Sequence, residues 1–278
     1  MSIAHVNGIS LYYEITGNGF PLVFNHEFAG DYRSWEPQVR FFSRRYQVIT
    51  YNHRGYPPSE VPTDPAAYSE DILVEDLHQL LRYLKISKAH IAGLSMGGGI
   101  TLNFGIRHPE MCASLVVSSC GAGSTNREQF KQHGKAMVER LENEGLKAFA
   151  DFLNQGPARV QFRKKDPRGW QESRDQMAEH SALGSALIFR GVQLQRPPIF
   201  DLEAKLKHLH VPTLLMIGDE DEPCIEPAFF MKRHIPRANL LVFPHSGHAI
   251  NLEESDLFNR AMLDFLTEVD AVRWDPSL

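Results

Sequence analysis

The chain has 278 residues, 42% of them hydrophobic and 23% charged, which is enough apolar material for one large α/β core and excludes a disordered chain. Its formal net charge of −5 offers no cationic footprint for a phosphate backbone and argues against a nucleic-acid partner. The three cysteines (Cys112, Cys120, Cys224) form neither a disulfide framework nor a zinc knuckle, and they suit a reducing compartment. No run approaches the roughly 18 apolar residues of a membrane span, and the first residues lack the basic and apolar regions of a signal peptide. The expectation is a soluble, cytoplasmic protein with no membrane partner; a homo-oligomeric state is left open.

In chain order, residues 9–15 alternate Ile9, Leu11, Tyr13 and Ile15 on one face, which predicts an antiparallel strand at a sheet edge. Short, nearly continuous apolar runs at 22–24, 46–51, 90–94, 115–118, 213–217 and 240–243 predict strands of a parallel sheet covered on both faces. Between them lie stretches of helical period. In 71–84 the apolar residues Ile72, Leu73, Leu77, Leu80, Leu81 and Leu84 recur at three to four positions, and Leu257, Phe258, Met262, Phe265 and Leu266 do so near the C-terminus. Alternating strands and helices predict a doubly wound, mostly parallel twisted sheet with helices on both faces.

The alternation stops between 121 and 206, which is polar, rich in helix formers over 127–144 and 170–190, and without a convincing strand. This divides the chain into a core of 1–120 and 207–278 and an inserted helical excursion of 121–206. There is no internal repeat and no low-complexity segment.

The most specific segment is His90-Ile91-Ala92-Gly93-Leu94-Ser95-Met96-Gly97-Gly98-Gly99. It places Gly-x-Ser-x-Gly between a strand and a helix, the context in which a strained turn exposes a nucleophilic serine. Ser95 is therefore the candidate nucleophile, and the helix behind it directs free N–H groups at a developing oxyanion. One such donor is the backbone N–H of Met96. A serine needs a base and a group that orients the base. Downstream, four acids (Asp219, Glu220, Asp221, Glu222) follow one predicted strand, and His245 and His248 follow the next. Both clusters fall where open α/β sheets place their sites.

With these residues the chain resembles the α/β-hydrolase superfamily, on Gly93-Leu94-Ser95-Met96-Gly97, Gly218-x-x-Asp221 and Ser246-Gly247-His248. The resemblance covers essentially the whole chain, with 121–206 similar to the helical cap of that family. It implies Ser95 as nucleophile, His248 as general base and then acid, and Asp221 as the group that orients the imidazole. Asp219, Glu220 and Glu222 read as loop acids, and His245 as a loop residue. In the family the turn matching the one after the 22–24 strand reads His-Gly-aromatic; here it is Asn25-His26-Glu27-Phe28-Ala29-Gly30. That makes the Phe28 N–H the second oxyanion donor and His26 a brace of the turn. Glu27 replaces the customary glycine and is expected to face solvent, with a carboxylate at the pocket mouth as the alternative. The stretch Tyr51 to Ser59 resembles the family's Asp-x-Arg-Gly-x-Gly-x-Ser loop, with Asn52 and Pro57 as substitutions, and Arg54 and Ser59 holding the loop together.

A serine at 95 argues against the dehalogenases and epoxide hydrolases of similar scaffold, which need a carboxylate there. The resemblance implies hydrolysis of a small-to-medium carboxylic ester or lactone with no metal and no organic cofactor, and the chain is also similar to enol-lactone hydrolases. Trp170, Met177, His180, Phe189 and Arg190 are the candidate substrate-binding residues. Two alternatives remain: a carbon–carbon bond hydrolase of ring-fission diketones, with Arg190 or Arg163 on the substrate carboxylate, and a ligand receptor with a silent triad.

Overall fold

The computed structural model describes residues 2–274; residue 1 and residues 275–278, the outermost positions of the two core segments, lie outside it. Eight strands form one sheet: β1 (Ser2–Val6), β2 (Ile9–Thr16), β3 (Phe20–Asn25), β4 (Tyr46–Tyr51), β5 (Ala89–Leu94), β6 (Cys112–Ser118), β7 (Thr213–Gly218) and β8 (Ala238–Phe243). Their spatial order is β1-β2-β4-β3-β5-β6-β7-β8. β2 runs antiparallel to β1 and to β4, and every other neighbouring pair is parallel.

The edge position expected for 9–15 is corrected. β1 takes the edge and β2 lies inside it. The cause is local: Asn7 and Gly8 form a two-residue connection with φ of 46° and 75°, the positive-φ pair that folds a hairpin with the natural strand twist. Ile9 and Leu11 are buried, whereas Ile15 at the far end is exposed.

Helices cover both faces. Before β7 they are α1 (Glu36–Phe42), α2 (Glu70–Tyr83), α3 (Met96–Arg107), α4 (Arg127–Gln155), α5 (Val160–Lys165), α6 (Pro167–Ala178), α7 (Ala182–Ile188) and α8 (Glu203–Leu206). After β7 come α9 (Glu222–His234), α10 (Ile250–Glu253) and α11 (Ser255–Asp270). α2 starts where Ser69 accepts the Ile72 N–H (3.2 Å) with Glu70 and Asp71 in the first turn, a favourable charge at a helix N-terminus. Its leucines Leu73, Leu77, Leu80 and Leu81 are fully buried, each contributing about 1.5–3 kcal/mol of transfer free energy.

Strand residues alternate between two core layers. Leu22 and Phe24 of β3 pack with Trp35, Phe42 and the α11 residues Phe258, Met262 and Phe265. Val23, between them, belongs to the opposite layer with Leu73, Leu77, Ile100 and Phe104. That second layer also takes in Phe149, Met177 and Phe189 from the segment between β6 and β7, so this segment shares the sheet's own core. It contains no strand among the described residues, and α4 breaks its helical backbone at Gly145 (φ 80°, ψ 172°). No helix among the described residues is long and apolar enough to cross a membrane.

Candidate active site

Ser95 sits between β5, whose six residues are all buried, and the first turn of α3. Its backbone is held at φ 56°, ψ −112°, a region disfavoured for any side chain and tolerated where the surroundings over-determine it. The surroundings here are two glycines. A Cβ on Gly93 would lie 2.2 Å from the Gly97 carbonyl oxygen, and one on Gly97 would lie 2.1 Å from that of Asn25. The Ser95 N–H donates to the Ser118 carbonyl (2.8 Å), which ties the turn to β6. The backbone N–H groups of Met96 and Phe28 have no protein acceptor among the described residues.

The loops after β7 and β8 interlock, because a Cβ on Gly218 would lie 2.2 Å from the Gly247 carbonyl oxygen. This brings Asp221, buried, within 2.8 Å of His248 through Oδ2 and Nδ1. A carboxylate there fixes the proton on Nδ1 and leaves Nε2 free to accept one. The neighbouring acids are engaged elsewhere: Asp219 accepts the Ser246 N–H (3.0 Å), and Glu220 meets Gln161 (2.6 Å) and the exposed His245 (3.0 Å). No hydrogen bond joins the Ser95 hydroxyl to the His248 ring among the described residues. Such pairs are commonly loose in free enzymes and tighten when substrate binds.

The turn after β3 overturns one expectation. Glu27 does not face solvent but is buried at 1% exposure, with its carboxyl folded over Gly30. Beside it, Phe28 packs against Phe149 and Phe189, with ring centroids 6.4 and 5.0 Å apart, so the excursion closes over this turn. Oε2 of Glu27 has no hydrogen-bond partner among the described residues. Burial pushes the Glu27 carboxyl above the usual range, and the charges of Arg159 and His248 offset this in part. The latter also sets His248 within electrostatic reach of the turn. His26 beneath is bonded at both nitrogens, donating from Nδ1 to the Glu27 carbonyl (2.8 Å) and accepting the His53 N–H at Nε2 (3.1 Å). Burial lowers its pKa to about 4, so it is neutral.

The five substrate-binding candidates have different surroundings. Phe189 packs edge-on to Phe28, and Met177 lies in the same core layer with Asn154 donating to its sulfur (3.7 Å). His180 has Nε2 3.1 Å from Asp31, bridging the excursion to the turn. Burial would raise the Asp31 carboxyl, but His180 and Arg33 outweigh it and hold it well below the usual range. Trp170 donates from its indole to the Asn154 carbonyl (2.9 Å) and carries Arg163 over its ring. Arg190 pairs with Glu142 on the exposed surface. Arg190 and Arg163, the arginines named for a substrate carboxylate, are thus engaged by Glu142 and by the Trp170 ring. The loop 51–59 is held by Arg54, which pairs with both oxygens of Asp76 at 2.6 Å, and by Ser59, which donates to the Asn52 carbonyl (2.7 Å).

Two groups of side chains could be considered for a metal. Asp221, Cys224 and His248 offer atoms within 4.8 Å of one another. Burial keeps the Cys224 thiol protonated, donating to the Ser119 carbonyl, and Asp221 already occupies His248 Nδ1, so this set does not fit. In Glu75, His78 and His108 the two imidazoles stack at 4.1 Å and 15°, and parallel rings cannot aim their in-plane lone pairs at one ion.

A strained serine turn ends the buried parallel strand β5, and a carboxylate–imidazole pair joins the loops after β7 and β8, a layout of α/β architecture that suits a hydrolase. The family model for the alpha/beta hydrolase fold matches residues 21–255, and the chain belongs to that family. 3-Oxoadipate enol-lactonase 1 of Acinetobacter baylyi is 28% identical over 273 residues, covering 96% of this chain and 97% of that protein. The solved structure of the enol-lactonase from Burkholderia xenovorans LB400 superposes with a TM-score of 0.85 at 26% identity, covering 96% of this chain and all (100%) of that one. A thermophilic esterase from Thermogutta terrifontis, solved with malate bound, gives 0.83 at 25% identity, covering 96% and 98%.

Proposed function

We propose that the chain is a serine hydrolase of small-to-medium carboxylic esters or lactones, acting through an acyl-enzyme on Ser95, with 121–206 as its cap. The observation that carries this reading is the Asp221–His248 pair at 2.8 Å with the carboxylate shut away from water. The enol-lactonase and esterase names of the similar proteins support the substrate class.

In this reading His248 Nε2 takes the Ser95 proton as Oγ attacks the carbonyl carbon. The N–H groups of Phe28 and Met96 receive the charge that develops on the carbonyl oxygen, each donor worth roughly 3–4 kcal/mol of barrier. His248 then hands its proton to the leaving oxygen. Water attacks the acyl-enzyme with its proton going to His248, and Ser95 is regenerated as the acid departs. Asp221 stays ionised, holding the ring in one tautomer.

Labelling with a fluorophosphonate, read by mass spectrometry, tests the assignment. One adduct on Ser95, lost in Ser95→Ala, is the expected result. Ester turnover with no adduct at Ser95 would sink it.

A further inference from the structure

Arg159 ends the short turn Pro157–Arg159 between α4 and α5. It is only 6% exposed, yet its side chain makes no hydrogen bond or ion pair to any described residue, and Nη1 is closed off from solvent. A guanidinium stays charged at any pH a folded protein tolerates, and a buried charge without a partner is strongly unfavourable. Such a group persists where a ligand completes it.

Its neighbours place it at the proposed site. The carbonyl of Ala158, the preceding residue, accepts the His248 N–H at 3.1 Å, and a Cβ on Gly247 would come within 2.7 Å of that same oxygen. The charge of Arg159 is felt by Glu27, on the turn that carries Phe28, and by Glu253 beneath the 247–249 loop. Neither acid closes on it. Glu253 uses both oxygens on backbone N–H groups, those of Gly247 and Ala249, each at 3.0 Å. Glu27 is held in a dry site that favours its neutral form. The cation therefore sits on the turn that packs against the His248 loop, within electrostatic reach of Glu27, and no described acid forms an ion pair with it.

We infer that Arg159 receives a carboxylate carried by the substrate, so that the preferred ester or lactone bears an ionised carboxyl group in addition to the carbonyl that Ser95 attacks. This rests on the acyl-transfer reading above. Arg159 acts through specificity: it orients the substrate and takes no part in proton transfer. A guanidinium fork suits a carboxylate in a bidentate pair, and the same-length neutral substrate would leave the cation unpaired.

The test compares mono-4-nitrophenyl glutarate with 4-nitrophenyl pentanoate, in which a methyl group ends the chain in place of the carboxylate. Wild-type kcat/KM should favour the charged ester by about 10- to 100-fold, the range of charge-assisted hydrogen bonds. Arg159→Gln should bring that ratio to one or below, mainly through KM of the charged ester, and Arg159→Lys should keep part of it. A wild-type preference for the neutral ester, or an unchanged ratio in Arg159→Gln, overturns the inference. Should Arg159→Gln not fold, the wild type alone decides: glutarate should protect Ser95 from fluorophosphonate and glutaramide should not, and equal protection overturns the inference. Labelled Ser95 without carboxylate preference removes the role of Arg159 only; an enzyme that never labels at Ser95 removes the acyl-transfer reading beneath it.

Discussion

Gly97 approaches Asn25 so closely that an added Cβ would stand 2.1 Å from the Asn25 carbonyl oxygen. This contact seats the first turn of α3, which begins at Met96, on the end of β3, from which the Phe28 turn leaves. Gly97→Ala must therefore push the helix start away from the Phe28 turn. We expect a loss of about 1–3 kcal/mol in urea unfolding, as for other overpacked sites, and a fall in kcat larger than that loss accounts for. A variant with wild-type kcat would show that the two donors do not depend on this approach.

The loop histidines should separate cleanly. His248 is paired with buried Asp221, whereas His245 is exposed and meets Glu220. His248→Ala should abolish ester turnover and His245→Ala should leave kcat/KM within a few-fold of wild type. The reverse ranking, measured with one activated ester, would overturn the assignment.

Asp221→Asn keeps the side chain's shape but presents an amide to Nδ1, which favours the wrong tautomer of His248. A decrease in kcat on the order of 10⁴ is expected. Asp219→Asn, which disturbs backbone contacts of the loop at His245 and Ser246 and not the His248 ring, should be mild.

Arg54 and Asp76 form a buried bidentate pair, 5% and 0% exposed at their side chains. Asp76→Ala leaves a buried guanidinium with only the Ala67 and Asn7 carbonyls and no counter-charge, and should cost about 3–5 kcal/mol in urea unfolding. The double variant Arg54→Met, Asp76→Leu should recover most of it, because an apolar pair leaves no charge unpaired. No recovery would mean that the pair sets the loop's conformation as well as its charge balance.

Acid should weaken the fold through His26. Burial places its pKa at about 4 when folded, against about 6.5 in the unfolded chain. Above pH 6.5 both states are neutral and nothing is lost. Between pH 6.5 and 4 the unfolded chain takes up a proton that the folded one refuses, so stability falls by about 3 kcal/mol across that window. Glu27 pulls the other way, since its raised carboxyl pKa lets the folded state hold a proton that the unfolded chain has released. His26→Gln should therefore flatten the decline in urea midpoint between pH 6.5 and 4. An unchanged slope would place the acid sensitivity elsewhere, with the buried His53 the next group to examine.

Strands whose apolar runs are continuous were legible from the residues alone: β4 spans 46–51 in both readings, and the other central strands differ by a few residues at their ends. The serine turn was equally legible, because its glycines and its strand-to-helix setting are local. β1 escaped notice although Asn7-Gly8 is a hairpin signal, since only five residues precede the turn in that strand. The helical stretch at 127–144 extends in fact to 155, across a break at Gly145 that helical periodicity does not reveal.

Glu27 and Arg159 mark the boundary between the two kinds of information. Periodicity, turn chemistry and motif spacing act over a few residues, and they determined the alternating α/β architecture and the serine at its elbow. Whether a given charged side chain is wet or dry depends on segments far away along the chain. Phe149 and Phe189 close over the turn at Glu27, and the loop of Gly247 and His248 packs on Arg159's own turn. Desolvation of a charge is a property of the packed assembly, so tertiary structure alone decided that Glu27 and Arg159 would lie buried.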